Sequence, residues 1–258
     1  MLREGKGPPL FLLHGILGSE GIWQGVMPRL AARHEVIADT SPGHRGGAMP
    51  AQRPVSFEHI VDDAERLLDR FGIDRAHLAG NSIGGWAALE LARRGRAKTV
   101  CAFSPAGAWE QDWPERKRLF KALAGLQRDT RRSRPILPTL ARSGRFRAWA
   151  LRHSAARGER VSRAEFLRLA DDTIACEAGE DLLTSEAQLA ALDPPPCPIT
   201  IAWSSEDRMF PLFPFGARAR ELLPEAHFVV LEGVGHVPML DDPDLVARTI
   251  LARTAGAG

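Results

Sequence analysis

Short apolar runs of strand length alternate along this chain with longer stretches whose apolar residues recur at helical spacing. That alternation admits few folds, because a strand, a crossover helix and a parallel strand bury one another in a layered arrangement. The runs lie at residues 9–14, 34–39, 75–80, 99–104, 198–204 and 227–233, and the pattern predicts an α/β fold with a mostly parallel sheet of about six strands. Between the second and third runs, Ser56 is placed to cap a helix carried by Phe57, Ile60, Val61, Ala64, Leu67, Leu68 and Phe71, which Gly72 then stops. Asp242 and Pro243 open a last helix through Leu245, Val246 and Ile250, the proline being favourable in a first turn.

The rhythm breaks over residues 106–196, where the pattern is helical, heavily charged and closed by the stiff return DPPPCP. Residues 1–105 and 197–258 therefore read as one core, with residues 106–196 as an inserted helical cap. Sixteen Lys or Arg lie between Arg116 and Arg168, whereas seven acids and no bases lie between Asp171 and Asp193. The expectation is of solvated helix faces that pair with each other rather than a dedicated anion site.

The chain has 258 residues, enough for one domain with an insertion. A net charge of +2 is too small for the field that would draw the whole protein to nucleic acid or an anionic membrane. Cys101, Cys176 and Cys197 are odd in number and lack CxxC spacing, which argues against a disulfide framework or structural zinc and for a reducing cytoplasm. The apolar run from Leu10 to Leu13 is too short for an export signal or a bilayer span.

Ser82 falls where the third run ends and the next helix begins, in Gly80-Asn81-Ser82-Ile83-Gly84. The G-x-S-x-G pattern in that context is a nucleophile elbow: the serine backbone is strained, and side chains at the flanking glycines would collide with strand and helix. A serine hydroxyl needs a general base, and the base an orienting acid, both on later strand ends. Asp207, in SSEDRMFP, follows the fifth run, and His236, in GVGHVPMLDDP, follows the sixth. Glu206 competes with Asp207 and ranks second because it lies one residue nearer the strand. The backbone N–H groups of Ile16, in HGILGS, and of Ile83 are candidate oxyanion donors. His14 is expected to fix the HGILGS loop by a hydrogen bond, and Asp39 and His44 to shape a loop beside the site. None of the eight histidines stands in HExxH or another tight metal-ligand pattern, so neither a metal nor another cofactor is expected.

In order and spacing, HGILGS, DTSPGHRGG, GNSIGG, SSEDRMFP and GVGHVPMLDDP resemble the α/β-hydrolase family over nearly the whole chain. The resemblance implies a Ser82, Asp207 and His236 triad, Ile16 and Ile83 as oxyanion donors, and a cap inserted after the family's sixth strand. The family commonly has two strands ahead of the first run, and here only residues 2–6 remain to form a ragged edge. Epoxide hydrolases and haloalkane dehalogenases of the family carry Asp where this chain has Ser82, and the former use cap tyrosines, of which this chain has none. The leading expectation is hydrolysis of small hydrophobic carboxylic esters through an acyl-enzyme, in a pocket to which Trp109, Trp113, Phe120, Phe146 and Trp149 could contribute. GNSIGG also resembles the elbow of hydrolases that cleave carbon–carbon bonds in ring-fission products, though Val237 stands where those commonly have Trp. A third reading is a ligand-binding protein with a residual triad. A small-molecule substrate and a monomer or homodimer complete the expectation.

Overall fold

The strands β1 (Leu2–Glu4), β2 (Pro9–Leu13), β3 (Glu35–Ala38), β4 (Ala76–Asn81), β5 (Ala97–Phe103), β6 (Ile199–Ser204) and β7 (His227–Leu231) form one sheet, ordered β1-β3-β2-β4-β5-β6-β7. This computed structural model describes residues 1–50, 52–109, 116–185 and 187–255. Trp113 and the Phe120 side chain lie outside the described residues. Six strands run parallel, and the seventh, β1, pairs antiparallel with β3, Leu2 opposite Ala38 and Glu4 opposite Val36. The expected ragged edge is thus an ordered three-residue strand. Arg3 on it forms an ion pair with Glu35 of β3, a charged edge that discourages further strand pairing.

Strand alternation divides the core in two. Phe11, Leu13, Leu78, Val100 and Ile201 pack on one face with the helices Phe57–Arg70 and Ile83–Arg93. Leu10, Leu12, Ala79, Cys101 and Ala202 pack on the other with the helices Met27–Ala31 and Pro243–Thr254. Both caps read from the sequence are present: the Ser56 side chain accepts from the His59 N–H, and Asp242 from the Leu245 N–H.

The chain passes from β2 outward to β3 and then returns across β2 to β4. The strand order reverses there, and in open α/β sheets ligands bind beyond the carboxyl ends of the strands at such a reversal. The His14–Gly15 loop leaves the carboxyl end of β2, and Ser82 follows the carboxyl end of β4 beside it.

Between β5 and β6 run the helices Arg116–Ser133, Leu137–Leu140, Gly144–Ala150, Arg163–Ala175 and Gly179–Thr184. This insertion has a small core of its own, Leu137, Ala141, Leu151, Ala155, Val161, Phe166 and Ala170, into which Leu240 projects from the strand domain. Its acids do more than pair within it. Arg134 meets Asp171 and Arg168 meets Asp172, as the charge pattern suggests. Asp172, only 1% exposed, also binds Arg45 and the Ser19 hydroxyl, while Asp181 and Glu177 bind Arg53. The acidic half therefore seats the insertion on arginines of the strand domain, a pairing that no local spacing could reveal.

Candidate active site

Ser82 stands between β4 and the helix Ile83–Arg93 with φ 56° and ψ −118°. A positive φ on a residue with a side chain is strained by about 1–3 kcal/mol and is held here by its surroundings. The Ser82 N–H donates to the Phe103 carbonyl at 3.0 Å, and the Ser82 carbonyl accepts from Trp86 and Ala106. The glycines around it are sterically required. A Cβ on Gly80 would collide with the Gly84 carbonyl oxygen, one on Gly84 with the carbonyls of Leu13 and His14, and one on Gly15 would sit 3.2 Å from the Ser82 Cβ.

His236 lies on the loop after β7, and its Nδ1 is 2.7 Å from Asp207 Oδ2. A carboxylate only accepts, so the imidazole carries a proton on Nδ1 and donates it to Asp207. Nε2 is buried and without a hydrogen-bond partner, so the structure brings His236 to Asp207 but does not hydrogen-bond it to the Ser82 hydroxyl. Asp207 Oδ1 accepts from the N–H groups of Met209 at 2.9 Å and Phe210 at 2.7 Å, so the acid is fixed on both oxygens. Glu206 faces solvent, because one step along the loop points its side chain the other way. The Asn81 side chain donates to the His236 carbonyl at 2.8 Å, which holds the histidine loop against the residue that precedes Ser82. Ser82, Asp207 and His236 are all buried.

The Ile83 N–H is the first of its helix and has no partner within it, while Ile16 opens the turn after His14-Gly15. Leu17 in that turn has φ 61°, and the Gly18 N–H closes it on the Gly15 carbonyl at 3.2 Å. His14 Nε2 accepts from the Ser41 N–H at 2.9 Å, so Nδ1 carries the proton and donates to the Gly15 carbonyl at 2.8 Å. That histidine ties the DTSPGHRGG loop to the turn.

Burial pushes the His14 imidazole down to about 4 and, with His14 4.9 Å away, the His44 imidazole down to about 3. Both are neutral in the folded chain but take up protons near pH 6.5 when unfolded, so stability is full above that pH and falls as pH drops toward 4. Urea midpoints measured from pH 7 to pH 5 should fall by an amount equivalent to about 2 kcal/mol for each histidine, roughly 4 kcal/mol for the pair. A midpoint constant over that range would contradict the buried neutral pair.

Of the aromatic residues assigned to a pocket, Trp109 is buried with its ring 5.5 Å from Phe210, whose ring stands 5.1 Å from His236. Phe146 instead packs on Phe166 in the insertion, and Trp149 is 61% exposed. Phe210, Asn81 and Asp241 had no sequence signal of their own. Asn81 is the free position of G-x-S-x-G, and Asp241 is masked by the capping Asp242 beside it. A cavity of about 190 Å³ lies elsewhere, lined by Asp39, Asp63, Arg66 and Arg70 among others and by none of the three candidate catalytic side chains. Among the described residues no cluster of His, Cys, Asp and Glu could hold a metal, and no helix is long and apolar enough to cross a membrane.

A serine on a strained strand-to-helix turn, with a histidine–carboxylate pair at the same sheet edge, defines the class of α/β proteins built for nucleophilic hydrolysis. The alpha/beta hydrolase family model matches residues 10–249, and the chain belongs to that family. It is a hydrolase of the α/β type. It is 34% identical over 204 residues, 74% of this chain and 91% of the relative, to the epoxide hydrolase EphH of Mycobacterium tuberculosis. It is 28% identical to a pimeloyl-[acyl-carrier protein] methyl ester esterase of Nitrosomonas europaea, with 93% of each chain covered. Among solved structures, a meta-cleavage product hydrolase from Pseudomonas fluorescens superposes with a TM-score of 0.76 at 21% identity, covering 100% of this chain and 94% of that one, a likeness of fold.

Proposed function

We propose that this chain is a serine hydrolase of small, hydrophobic carboxylic esters, with Ser82 as nucleophile, His236 as general base, Asp207 as its orienting acid, and Ile16 and Ile83 as oxyanion donors. The observation that carries the reading is the buried His236 ring, its Nδ1–H committed to Asp207 and its backbone carbonyl held by Asn81, the residue that precedes Ser82. In the proposed cycle Nε2 takes the Ser82 hydroxyl proton as the oxygen attacks the ester carbonyl, and the developing oxyanion meets the two N–H groups. The imidazolium returns that proton to the departing alcohol. Water, deprotonated by the same nitrogen, then releases the acid from the acyl-enzyme. The Asp207 carboxylate, held by the Met209 and Phe210 N–H groups, stabilises the imidazolium.

The esterase relatives support the choice of ester, and the apolar wall of Phe210 and Trp109 beside His236 supports a hydrophobic substrate. In this reading the insertion is a cap over the site. The enzyme works in the cytoplasm as a monomer or homodimer, without a cofactor, on a small molecule rather than a nucleic acid or membrane.

The relation to EphH favours a second reading, epoxide opening. Against it stand Ser82 in the elbow and the absence of tyrosine. Aryl esters of increasing acyl length, a styrene-type epoxide and a ring-fission dienoate, assayed alongside a fluorophosphonate probe mapped by mass spectrometry, separate the readings. Ester turnover with the label on Ser82 is expected. Epoxide or dienoate turnover without ester turnover, or stoichiometric labelling without repeated cycles, would replace the proposal.

A further inference from the structure

One carboxylate outside the proposed triad is bound as tightly as Asp207. Asp241, at the end of the short helix Pro238–Asp241, is 9% exposed and accepts three backbone N–H bonds. Its Oδ2 takes Gly235 at 2.8 Å and Ala156 at 2.9 Å, and its Oδ1 takes Arg157 at 2.7 Å. Gly235 directly precedes His236, whereas Ala156 and Arg157 belong to the helical insertion. Alongside, the Val237 N–H donates to the Ser154 carbonyl at 2.7 Å, so residues 154–157 of the insertion lie along residues 235–237. The approach is close: a Cβ on Gly235 would stand 2.7 Å from the Ala156 nitrogen and 2.8 Å from the Ala155 carbonyl carbon. Leu240, the neighbour of Asp241, is buried in the insertion's own core.

We infer that Asp241 is a positioning residue, whose carboxylate clamps the insertion to the loop carrying His236 and so makes alignment of the general base depend on how the insertion is seated. This rests on the serine-hydrolase reading for its catalytic consequence. The physical basis is acceptor count. Only an ionised carboxylate offers two acceptor oxygens at that point, and charge-assisted bonds to backbone N–H groups are roughly twice as strong as neutral ones. The His236 peptide is thereby held from two sides, by Asn81 on its carbonyl and by Asp241 through the preceding N–H. Neither Asn81 nor Asp241 hydrogen-bonds the imidazole ring, so both act on its direction and not on its chemistry. An amide at position 241 turns an NH2 group toward one of the three donors and breaks the clamp on one side.

Asp241→Asn in the full chain is expected to lower kcat by about 10- to 100-fold with KM little changed, the scale for a catalytic group displaced by under an ångström. The proton on His236 Nδ1, bonded to Asp207, should give a downfield NMR signal in the unmodified chain. That signal should move or broaden in the variant while circular dichroism stays native. An Asp241→Asn chain with unchanged kcat and an unmoved signal would overturn the inference, as would a loss of rate matched by an equal loss of folded protein. If Asp241→Asn fails to fold, Gly235→Ala, which presses on the Ala156 backbone without removing any acceptor, must produce both changes. A Gly235→Ala chain that keeps both rate and signal would refute the coupling. Should the unmodified chain hydrolyse no ester at all, the proposed function falls, and the NMR comparison still decides whether Asp241 sets the His236 geometry.

Discussion

Ser82→Ala is expected to lower kcat/KM on the preferred ester by at least ~10³-fold, leaving only what oxyanion donors and substrate binding supply. The fold should not change. Alanine keeps the Cβ that the φ 56° backbone already accommodates, and the contacts that hold the elbow are made by the Ser82 backbone, not its hydroxyl. Stability should therefore stay within about 0.5 kcal/mol in urea unfolding. Steady-state kinetics of the purified variant, with loss of fluorophosphonate labelling, provide the check. Full rate in the alanine variant would remove Ser82 from the chemistry and with it the proposed function.

The second large effect is structural and reaches the site through one hydrogen bond. Trp203, fully buried in β6, stacks on Phe228 with ring centroids 6.4 Å apart, and its Nε1–H donates to the Phe210 carbonyl at 2.9 Å. The Phe210 N–H in turn supports Asp207. Trp203→Ala removes a large core side chain and should cost about 3–5 kcal/mol in urea unfolding. Trp203→Phe keeps most of the packing but drops the N–H. It should cost only about 1 kcal/mol, and lose activity beyond what the unfolded fraction explains, because the acid's loop slackens. A Trp203→Ala chain unfolding within about 1 kcal/mol of the parent would show that the site's support lies elsewhere.

Both predictions concern residues whose legibility differs. Ser82 announced itself, since its glycines are demanded by a local turn. His236 and Asp207 were readable as types at strand ends, and the choice of Asp207 over Glu206 followed from loop length alone. Trp203 was readable only as a strand residue. Nothing in AWSSED says that its ring nitrogen reaches seven residues onward to Phe210. Likewise the charge blocks of the insertion were visible, but their partners were not. Asp172 binds Arg45 across 127 positions and Arg53 meets Asp181 across 128, distances along the chain that no periodic pattern encodes.

What the sequence determined by itself is what short-range physics determines: the alternation that makes a parallel sheet, the caps that start its helices, and the glycine-flanked serine that can occupy only a strained elbow. Tertiary structure alone decided which distant groups meet there. The Asp207–His236 bond, the Asn81 and Asp241 contacts around residues 235–237 and the seating of the insertion are closed by the folding of the whole sheet. The reason is that a hydrogen bond depends on ångström distances between atoms, and those distances are set by the packing of the sheet's two faces rather than by spacing along the chain.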